Sequence, residues 1–217
     1  MRFYFECDIF VRRVAKRYDR SGKKLIDIGS DTSPYRKIFK NVHYFTLDIK
    51  QNNTKTIDFV IDLDQGMQKI ANDSFDYILC TQVLEHLQKP HLFFSESARI
   101  LKKNGRIFLT TNFIYPIHMA PHDHFRFTKF GLITLGEKNG FVIEHIKPQG
   151  GIFHVLSYII SSLPIRLLFK HSRPATLIYL ISFSPLIIIL NVLSYVFDLL
   201  DYDKELTMNY EVVYRKK

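Results

Sequence analysis

The chain has 217 residues, of which 47% are apolar and 24% charged, and its formal net charge is +9. This composition excludes a disordered or collagen-like chain and predicts one compact domain with room for a hydrophobic core. The two cysteines, Cys7 and Cys80, are too few for a disulfide scaffold, and the sequence contains no CxxC metal site. We therefore expect a reducing, cytoplasmic setting.

Residues 1–23 predict a basic amphipathic helix. Phe5, Ile9, Val11 and Val14 lie there among many lysines and arginines. Such a helix can contact anionic lipid or nucleic acid, or it can simply cover the end of the domain as a solvated helix. The segment has no uninterrupted apolar run and no small-residue cleavage site, so it does not read as a signal peptide.

The middle of the chain alternates short apolar segments with helical ones. Strands are predicted at 24–29, 43–49, 58–63, 75–80, 105–111, 141–147 and 208–216. Helices are predicted at 34–40, 66–71, 91–103 and 128–139. Near-continuous apolarity is typical of strands buried on both faces, and strand–helix repetition predicts an α/β fold with a mostly parallel sheet.

Polar residues follow several of the predicted strands, at the edge where ligands bind in such sheets. Gly29 directly follows the first strand, where it permits a tight turn and close approach of a ligand to backbone N–H groups. Asp48 ends the second strand about twenty residues later, at the spacing of an acid that accepts hydrogen bonds from a ribose diol. The sequence therefore predicts a nucleoside-binding edge.

Several segments in one order carry a family resemblance: LIDIGSDTSPYRKIF, YFTLDI, DLDQ, ANDSFDYILCTQVLEHLQKP, ARILKKNGRIFLTT and PHDHFRFTKFGL. Together they resemble the class I S-adenosylmethionine-dependent methyltransferases, within them the broad type 11 group common among bacteria. The resemblance covers residues 24–150 and the closing strand. It implies a Rossmann-like, seven-stranded, mostly parallel sheet with an antiparallel last strand, and S-adenosylmethionine as cofactor.

The resemblance also implies roles for residues at matching positions. Asp27, Gly29 and Ser30 line the methionine end of the cofactor. Asp48 holds the ribose hydroxyls, and Ile49 lies against the adenine. The adenine edge meets Asp62 and Leu63, and Thr81 and Gln82 flank the sulfonium.

The first loop departs from the family pattern G-x-G-x-G, because Asp31 and Ser33 replace its second and third glycines. Their side chains either crowd the amino-acid end of the cofactor or supply polar contacts to its ammonium group. A degenerate, non-catalytic member of the family is the alternative. A nicotinamide dinucleotide enzyme is disfavoured, because the single Gly29 is a poor pyrophosphate cradle.

The loop at 112–128 contains the residues predicted to meet the methyl acceptor. An alcohol needs a base to become a good nucleophile, and histidine suits that role near neutral pH. We predict His122 as the base, with Asp123 or Glu85 behind it. Predicted acceptor-binding residues are Tyr115, His118 and Arg126.

Two other interpretations of this loop stay open. His122 and Arg126 can instead brace the loop, and Glu85 can be a structural cap or ion-pair partner. A metal site drawn from His118, His122, Asp123 and His124 is conceivable, but no Cys or HxxxE-type partner supports one, and no metal is predicted.

Residues 152–206 form an apolar helical insertion in a methyltransferase domain made of 24–151 and 207–217. Residues 175–197 contain no charge and are long enough for a membrane span. A single crossing would put the closing strand on the wrong side of the membrane. We therefore weigh three interpretations: contact of 152–200 with the inner-membrane surface, a homodimer or packing interface, and a true span.

The leading functional prediction is methyl transfer to an oxygen of a small, glycan or lipid-linked acceptor, since the apolar tail resembles members that modify polysaccharides. The alternatives are a non-catalytic, membrane-associated protein that kept the fold, and a nucleic-acid-modifying methyltransferase. Nucleic acid is disfavoured as a partner, because the sequence has no aromatic-interleaved basic groove pattern and no DPPY-like motif.

Overall fold

The computed structural model describes residues 2–169 and 172–217. Its strands are β1 (Lys24–Ile28), β2 (His43–Asp48), β3 (Phe59–Val60), β4 (Phe75–Thr81), β5 (Leu101–Asn112), β6 (Phe141–Gln149) and β7 (Asn209–Lys216). Its helices are α1 (Arg2–Tyr18), α2 (Pro90–Ile100), α3 (Lys129–Lys138), α4 (Ile152–Leu167) and α5 (Arg173–Phe197).

The strands form one seven-stranded sheet in the order β3-β2-β1-β4-β5-β7-β6. The first five strands pair in parallel, with Lys24 opposite His43 and Ile28 opposite Cys80 in the centre of the sheet. The C-terminal strands are antiparallel. The predicted α/β, Rossmann-like sheet with an apolar helical insertion before its last strand is confirmed.

The chain divides into two compact units. The sheet unit comprises Phe3–Lys147 and Tyr210–Lys217, and the helical unit comprises Pro148–Asn209. The basic N-terminal helix α1 belongs to the sheet unit except for Arg2. The two units are described separately below.

The central strands of the sheet unit are buried on both faces. Alternate side chains along each strand enter different apolar clusters, because successive residues of a strand point to opposite sides. On one face α1 contributes Phe10, Val11 and Val14 to the cluster that contains Leu25, Leu79 and Phe108. On the other face α2 contributes Phe93 and Phe94 to the cluster that contains Ile26, Ile78 and Ile107.

Two predicted helices of the sheet unit are absent because side chains capture their backbone groups. Residues 34–40 form turns, and the chain that follows is held by the Asp19 carboxylate, which accepts hydrogen bonds from the N–H groups of Lys40 and Val42 (2.8 and 2.9 Å). Residues 66–71 are also turns, since Arg99 donates to the carbonyls of Met67 and Ile70 (2.8 and 2.7 Å). The predictions at 34–40 and 66–71 were wrong.

Other boundaries shift for similar reasons. The predicted helix 91–103 ends at Ile100, because Leu101 pairs with Phe75 and starts β5. The predicted strand 58–63 contracts to β3, because the Asp62 side chain accepts from the Asp64 N–H (3.0 Å) and caps a short 3₁₀ turn. The helix at 128–139 is confirmed as α3, capped by Thr128.

The helical unit is an antiparallel pair of helices, α4 and α5. The Asp198 carboxylate follows α5 and accepts from the N–H groups of Gly151, Phe153 and His154 (2.9, 3.1 and 3.2 Å), which caps the start of α4. Farther along the pair, the Tyr179 hydroxyl donates to the Ser161 carbonyl (3.2 Å). The base of the pair is therefore fixed by hydrogen bonds.

Most large apolar side chains of α5 are exposed. By length and composition, Arg173–Phe197 is long and apolar enough to cross a membrane, with a mean hydropathy of 2.2 in its most apolar window. None of that window is buried. Length and composition by themselves do not assign a span.

Candidate active site

The loop after β1 keeps a left-handed backbone at three alternating positions. Gly29, Asp31 and Ser33 have φ angles of 70°, 42° and 56°. At Gly29 a side chain is also excluded by space, because an added Cβ would lie 2.3 Å from Cγ2 of Val83. The loop therefore retains the shape of a three-glycine turn, although such φ angles cost energy for residues that carry a Cβ.

The carboxylate of Asp27 is buried beneath this loop. It accepts a hydrogen bond from the Tyr44 hydroxyl on the neighbouring strand β2. Burial raises the pKa of Asp27 to about 7, and the nearby charge of Asp48 adds to the increase, while the bond from Tyr44 opposes it. Asp27 is thus a buried carboxyl group, bonded to β2, whose charge depends on pH near neutrality.

Asp48 lies at the end of β2. Its carboxylate connects the loop after β1 with the residue that follows β2, at the edge of the sheet where the cofactor is predicted to bind. One oxygen accepts from the Asp31 N–H (2.9 Å) and the other from the Ile49 N–H (2.7 Å). Ile49 itself is 64% exposed, so its side chain is accessible to a flat ring. In the following turn Asp62 is a cap, and Leu63 is buried beside it.

Gln82 brings an unpartnered polar atom to the end of β4. Its backbone is left-handed (φ 57°), and its amide nitrogen donates to Oγ1 of Thr110 (3.0 Å). Within the described part of the chain its buried Oε1 has no hydrogen-bond partner, and the same is true of Oγ of Ser33. Buried polar groups normally have partners, so these two acceptors fit a ligand that supplies donors. The ammonium group of S-adenosylmethionine meets that requirement.

Glu85 is fully buried in a short turn after β4. Its carboxylate accepts hydrogen bonds from the Thr111 hydroxyl (2.9 Å) and the Asn112 amide (2.6 Å), which belong to the last two residues of β5. Its backbone carbonyl accepts from the N–H groups of His124 and Phe125 (2.9 and 3.1 Å). Burial raises the pKa of Glu85. Glu85 thus joins β5 to the acceptor loop at 112–128.

An ion pair organises the acceptor loop. Arg126 donates to both carboxylate oxygens of Asp123 (2.6 and 2.7 Å) and also to the carbonyls of Tyr115, Pro116 and Phe125. These bonds to Arg126 hold the pKa of Asp123 well below its usual range. The guanidinium thus makes its hydrogen bonds within the loop, which is typical of an arginine that stabilises a loop conformation.

In the described part of the chain, the contacts of the Asp123 carboxylate include His118 and do not include the His122 ring. Its Oδ2 accepts from the His118 N–H (2.8 Å) and lies 3.2 Å from His118 Nδ1. The His122 side chain is exposed, and its carbonyl lies 2.5 Å from Nδ1 of His86. The structure therefore gathers the predicted loop residues in one place but pairs them differently from the sequence prediction.

His86 is the loop partner that the sequence analysis missed. Its ring packs edge-on against that of His118, with 4.7 Å between centroids, and the Tyr115 ring also packs edge-on against His118, with 5.1 Å between centroids. One ligand atom from each of Glu85, His86 and His118 lies within 4.8 Å of the other two. The signal in the sequence was the adjacent Glu85-His86 pair after β4, of which the sequence analysis considered only Glu85, either behind the base or as a cap or ion-pair partner.

Comparison with known proteins defines the class of this chain. Residues 2–146 match the family described as "Methyltransferase domain", so the chain belongs to that family. A curated relative, the ubiquinone biosynthesis O-methyltransferase of Pelagibacter ubique (strain HTCC1062), is 27% identical over an alignment of 136 positions that covers 54% of this chain and 54% of the relative. The chain thus spans about half the length of the curated relative it matches.

Solved structures agree with the fold. A SAM-dependent methyltransferase from Archaeoglobus fulgidus superposes with a TM-score of 0.61 and 12% identity, over 96% of this chain and 94% of the other. The Burkholderia thailandensis 1,6-didemethyltoxoflavin-N1-methyltransferase, solved with 1,6-didemethyltoxoflavin and S-adenosylhomocysteine, gives a TM-score of 0.61 with 10% identity, over 98% and 78%. The predicted cofactor, S-adenosylmethionine, is confirmed.

Proposed function

We propose that this chain transfers the methyl group of S-adenosylmethionine to a hydroxyl oxygen of a small, glycan or lipid-linked acceptor. The observation that carries the proposal is the edge formed by Asp48, the left-handed loop and the unpartnered Oε1 of Gln82, with the histidine-rich loop on neighbouring β5. The relative named as an O-methyltransferase supports oxygen as the acceptor atom.

Each residue of the cofactor edge has a task that follows from its surroundings. Asp48 offers carboxylate oxygens to the ribose hydroxyls, and Ile49 offers an exposed apolar surface to the adenine. Gln82 Oε1 accepts from the ammonium group. When bound, the cofactor supplies a methyl carbon on a positively charged sulfur, whose C–S bond breaks with its electron pair left on sulfur as the acceptor oxygen bonds to that carbon.

The acceptor loop supplies the proton chemistry. His122 takes the proton of the acceptor hydroxyl, since its imidazole is exposed while its backbone is fixed by the contact with His86. The Asp123–Arg126 pair holds the loop in place, and Tyr115 and His118 form its inner surface. Much of the rate then comes from positioning, because a sulfonium methyl is already activated.

Calorimetry with S-adenosylhomocysteine tests the cofactor site directly. We expect binding at micromolar to sub-millimolar concentrations. A flat titration would remove the enzyme interpretation and favour the non-catalytic alternative.

The acceptor class needs a second measurement, in which methyl transfer from labelled cofactor is screened against envelope glycolipids, soluble glycans and nucleic acid. We expect label in the glycan or lipid fraction with the unmodified chain, loss with His122→Ala, and retention with His124→Ala, which removes an exposed histidine of the same loop. Label in nucleic acid alone would favour the third alternative.

The helical unit suggests where the acceptor is met. We propose that α5 and the exposed side of α4 contact the inner surface of the cytoplasmic membrane, so that the enzyme acts as a peripheral, cytoplasmic protein. Residues 152–197 contain no acidic residue, and Arg166 and Arg173 lie at the end of the pair where α4 joins α5. An exposed apolar surface bordered by cations is complementary to an anionic bilayer.

Flotation with vesicles tests this contact. The full chain should float with vesicles that contain anionic phospholipid, and less with zwitterionic vesicles. A double variant, Ile181→Lys with Ile188→Lys, replaces two exposed side chains and should abolish flotation without loss of cofactor binding. If the chain does not float with the vesicles and instead forms a dimer that the same double variant disrupts, the exposed apolar surface of α5 is a homodimer interface.

A further inference from the structure

We propose that Glu85, His86 and His118 bind one divalent transition-metal ion at the acceptor side of the active site. One ligand atom from each lies within 4.8 Å of the other two, so the three surround a space in which one ion would be bound at the usual ligand distances of about 2.0–2.2 Å once the side chains close around it. One carboxylate and two imidazoles are donors suited to Zn²⁺, Mn²⁺ or Fe²⁺, whereas Ca²⁺ and Mg²⁺ favour oxygen ligands.

His86 is already oriented as a metal ligand is. Its Nδ1 lies 2.5 Å from the His122 carbonyl, a distance that requires the N–H of the ring to point at that oxygen. A carbonyl oxygen only accepts, so Nδ1 carries the proton in this contact, and in the neutral ring Nε2 is the nitrogen with a free lone pair. A metal-binding histidine usually donates its other ring N–H to a carbonyl or carboxylate in this way.

His118 keeps a ring nitrogen that no hydrogen bond occupies. Its Nδ1 lies 3.2 Å from Oδ2 of Asp123, a carboxylate that Arg126 holds with two bonds. Within the described part of the chain, however, this buried Nδ1 has no hydrogen-bond partner. Buried polar atoms normally have partners, so an unpartnered imidazole nitrogen beside Glu85 and His86 is a second observation that fits a bound ion.

The third ligand is held from behind. Each carboxylate oxygen of Glu85 accepts one hydrogen bond, from Thr111 or Asn112, and keeps a second lone pair. Because Glu85 is fully buried, the ion would lie at the floor of the site with its remaining positions facing the loop. Three protein ligands and open positions are typical of catalytic rather than structural metal sites.

The role of the ion in methyl transfer rests on the proposed function, whereas the binding of the ion does not. An ion at this place would hold a hydroxyl oxygen of the acceptor and favour loss of its proton, which His122 accepts. An acceptor with two neighbouring hydroxyls, as on a sugar ring, fits the open positions best. The structure then assigns His118 to the metal rather than to direct acceptor binding.

The test uses the full chain, freed of metal with a chelator and then titrated with Co²⁺ alone. We expect visible absorption of a histidine-bound cobalt ion that saturates at one equivalent and is displaced by Zn²⁺. Glu85→Gln and His118→Ala should each weaken binding at least about 100-fold, as loss of a ligand exceeds the 10–100-fold effect of an outer partner. His124→Ala is the matched control and should bind like the unmodified chain.

Calorimetry with S-adenosylhomocysteine on every variant shows that it is folded and keeps the two proposals separate. Cofactor binding without a cobalt spectrum, or a spectrum that survives in both ligand variants, overturns the metal site and leaves the proposed function standing. A cobalt spectrum without cofactor binding does the reverse. Equal loss in His124→Ala also overturns the assignment.

Discussion

Two stretches of this chain have similar apolar sequences and opposite surroundings. In β5 of the sheet unit, Ile107, Phe108 and Leu109 are each fully buried between two apolar clusters. In α5 of the helical unit, Ile188 and Ile189 are 61% and 53% exposed. The comparison teaches that continuous apolarity predicts burial only where neighbouring elements are present to supply it, and elsewhere leaves an exposed apolar surface.

The sharpest way to break this comparison is to truncate one residue from each stretch. Leu109→Ala should lower the free energy of unfolding by about 2–5 kcal/mol, because it leaves a cavity in a packed core. Ile188→Ala should change it by less than about 0.5 kcal/mol, because that side chain is mostly exposed. Urea unfolding of both variants measures the difference, and similar costs would mean that α5 is packed against a second copy.

Alanine substitutions at two glycines of the sheet unit measure the cost of a left-handed backbone separately from the cost of steric crowding. Gly22→Ala places a Cβ at φ 77° in open space and should cost about 1–2 kcal/mol. Gly29→Ala adds the contact with Val83 and should cost about 3 kcal/mol, since crowding adds its own penalty. Thermal unfolding of the two variants measures the difference between their losses of stability. Equal losses would show that Val83 moves away freely.

The role of Asp48 is tested by cofactor affinity. Asp48→Ala should weaken S-adenosylhomocysteine binding by about 1–3 kcal/mol, through loss of charge-assisted bonds to the ribose and of the support for Asp31. The control is Glu144→Ala, which removes a carboxylate on β6 that pairs with Arg106 on β5 and should bind the cofactor product normally. Unchanged affinity in Asp48→Ala would show that the ribose is held elsewhere.

The smallest expected effect is a pH dependence from Asp27. Its pKa of about 7 in the folded chain is higher than in the unfolded chain, so the folded state holds the proton more tightly. The stability from this group is therefore present at low pH and is lost as pH rises through about 7. Between about pH 6 and 8 the loss should be roughly 1 kcal/mol, and Asp27→Asn should flatten it. Denaturant titrations across that interval provide the measurement.

The fold was readable from the sequence because it depends on local patterns, and so were the positions, at the strand ends, of the residues predicted to hold the cofactor. Buried parallel strands give apolar runs, and their ends carry Gly29 and Asp48 at a spacing that the chemistry of a nucleoside requires. Even the loss of two glycines did not mislead the prediction of a tight loop, because Asp31 and Ser33 adopt the left-handed backbone.

What the sequence did not reveal depends on contacts between distant segments. The turns at 66–71 exist because Arg99 binds their carbonyls, and no local pattern encodes that bond. Likewise, the spacing of the acceptor loop did not indicate that Asp123 faces His118, or that Glu85 reaches β5. Pairings of this kind are set by tertiary packing, which overrides local preference.

The Thr207 hydroxyl lies 2.8 Å from the carbonyl oxygens of both Gln149 and Gly150 and shares its single proton between them. One side chain thereby joins the point where the polypeptide leaves β6 to the point where it approaches β7, two strands that are neighbours in the sheet. The intervening segment is consequently a detachable module: a short hairpin could replace it without altering strand order. A change in the length of this segment would therefore leave β6 and β7 as neighbours in the sheet.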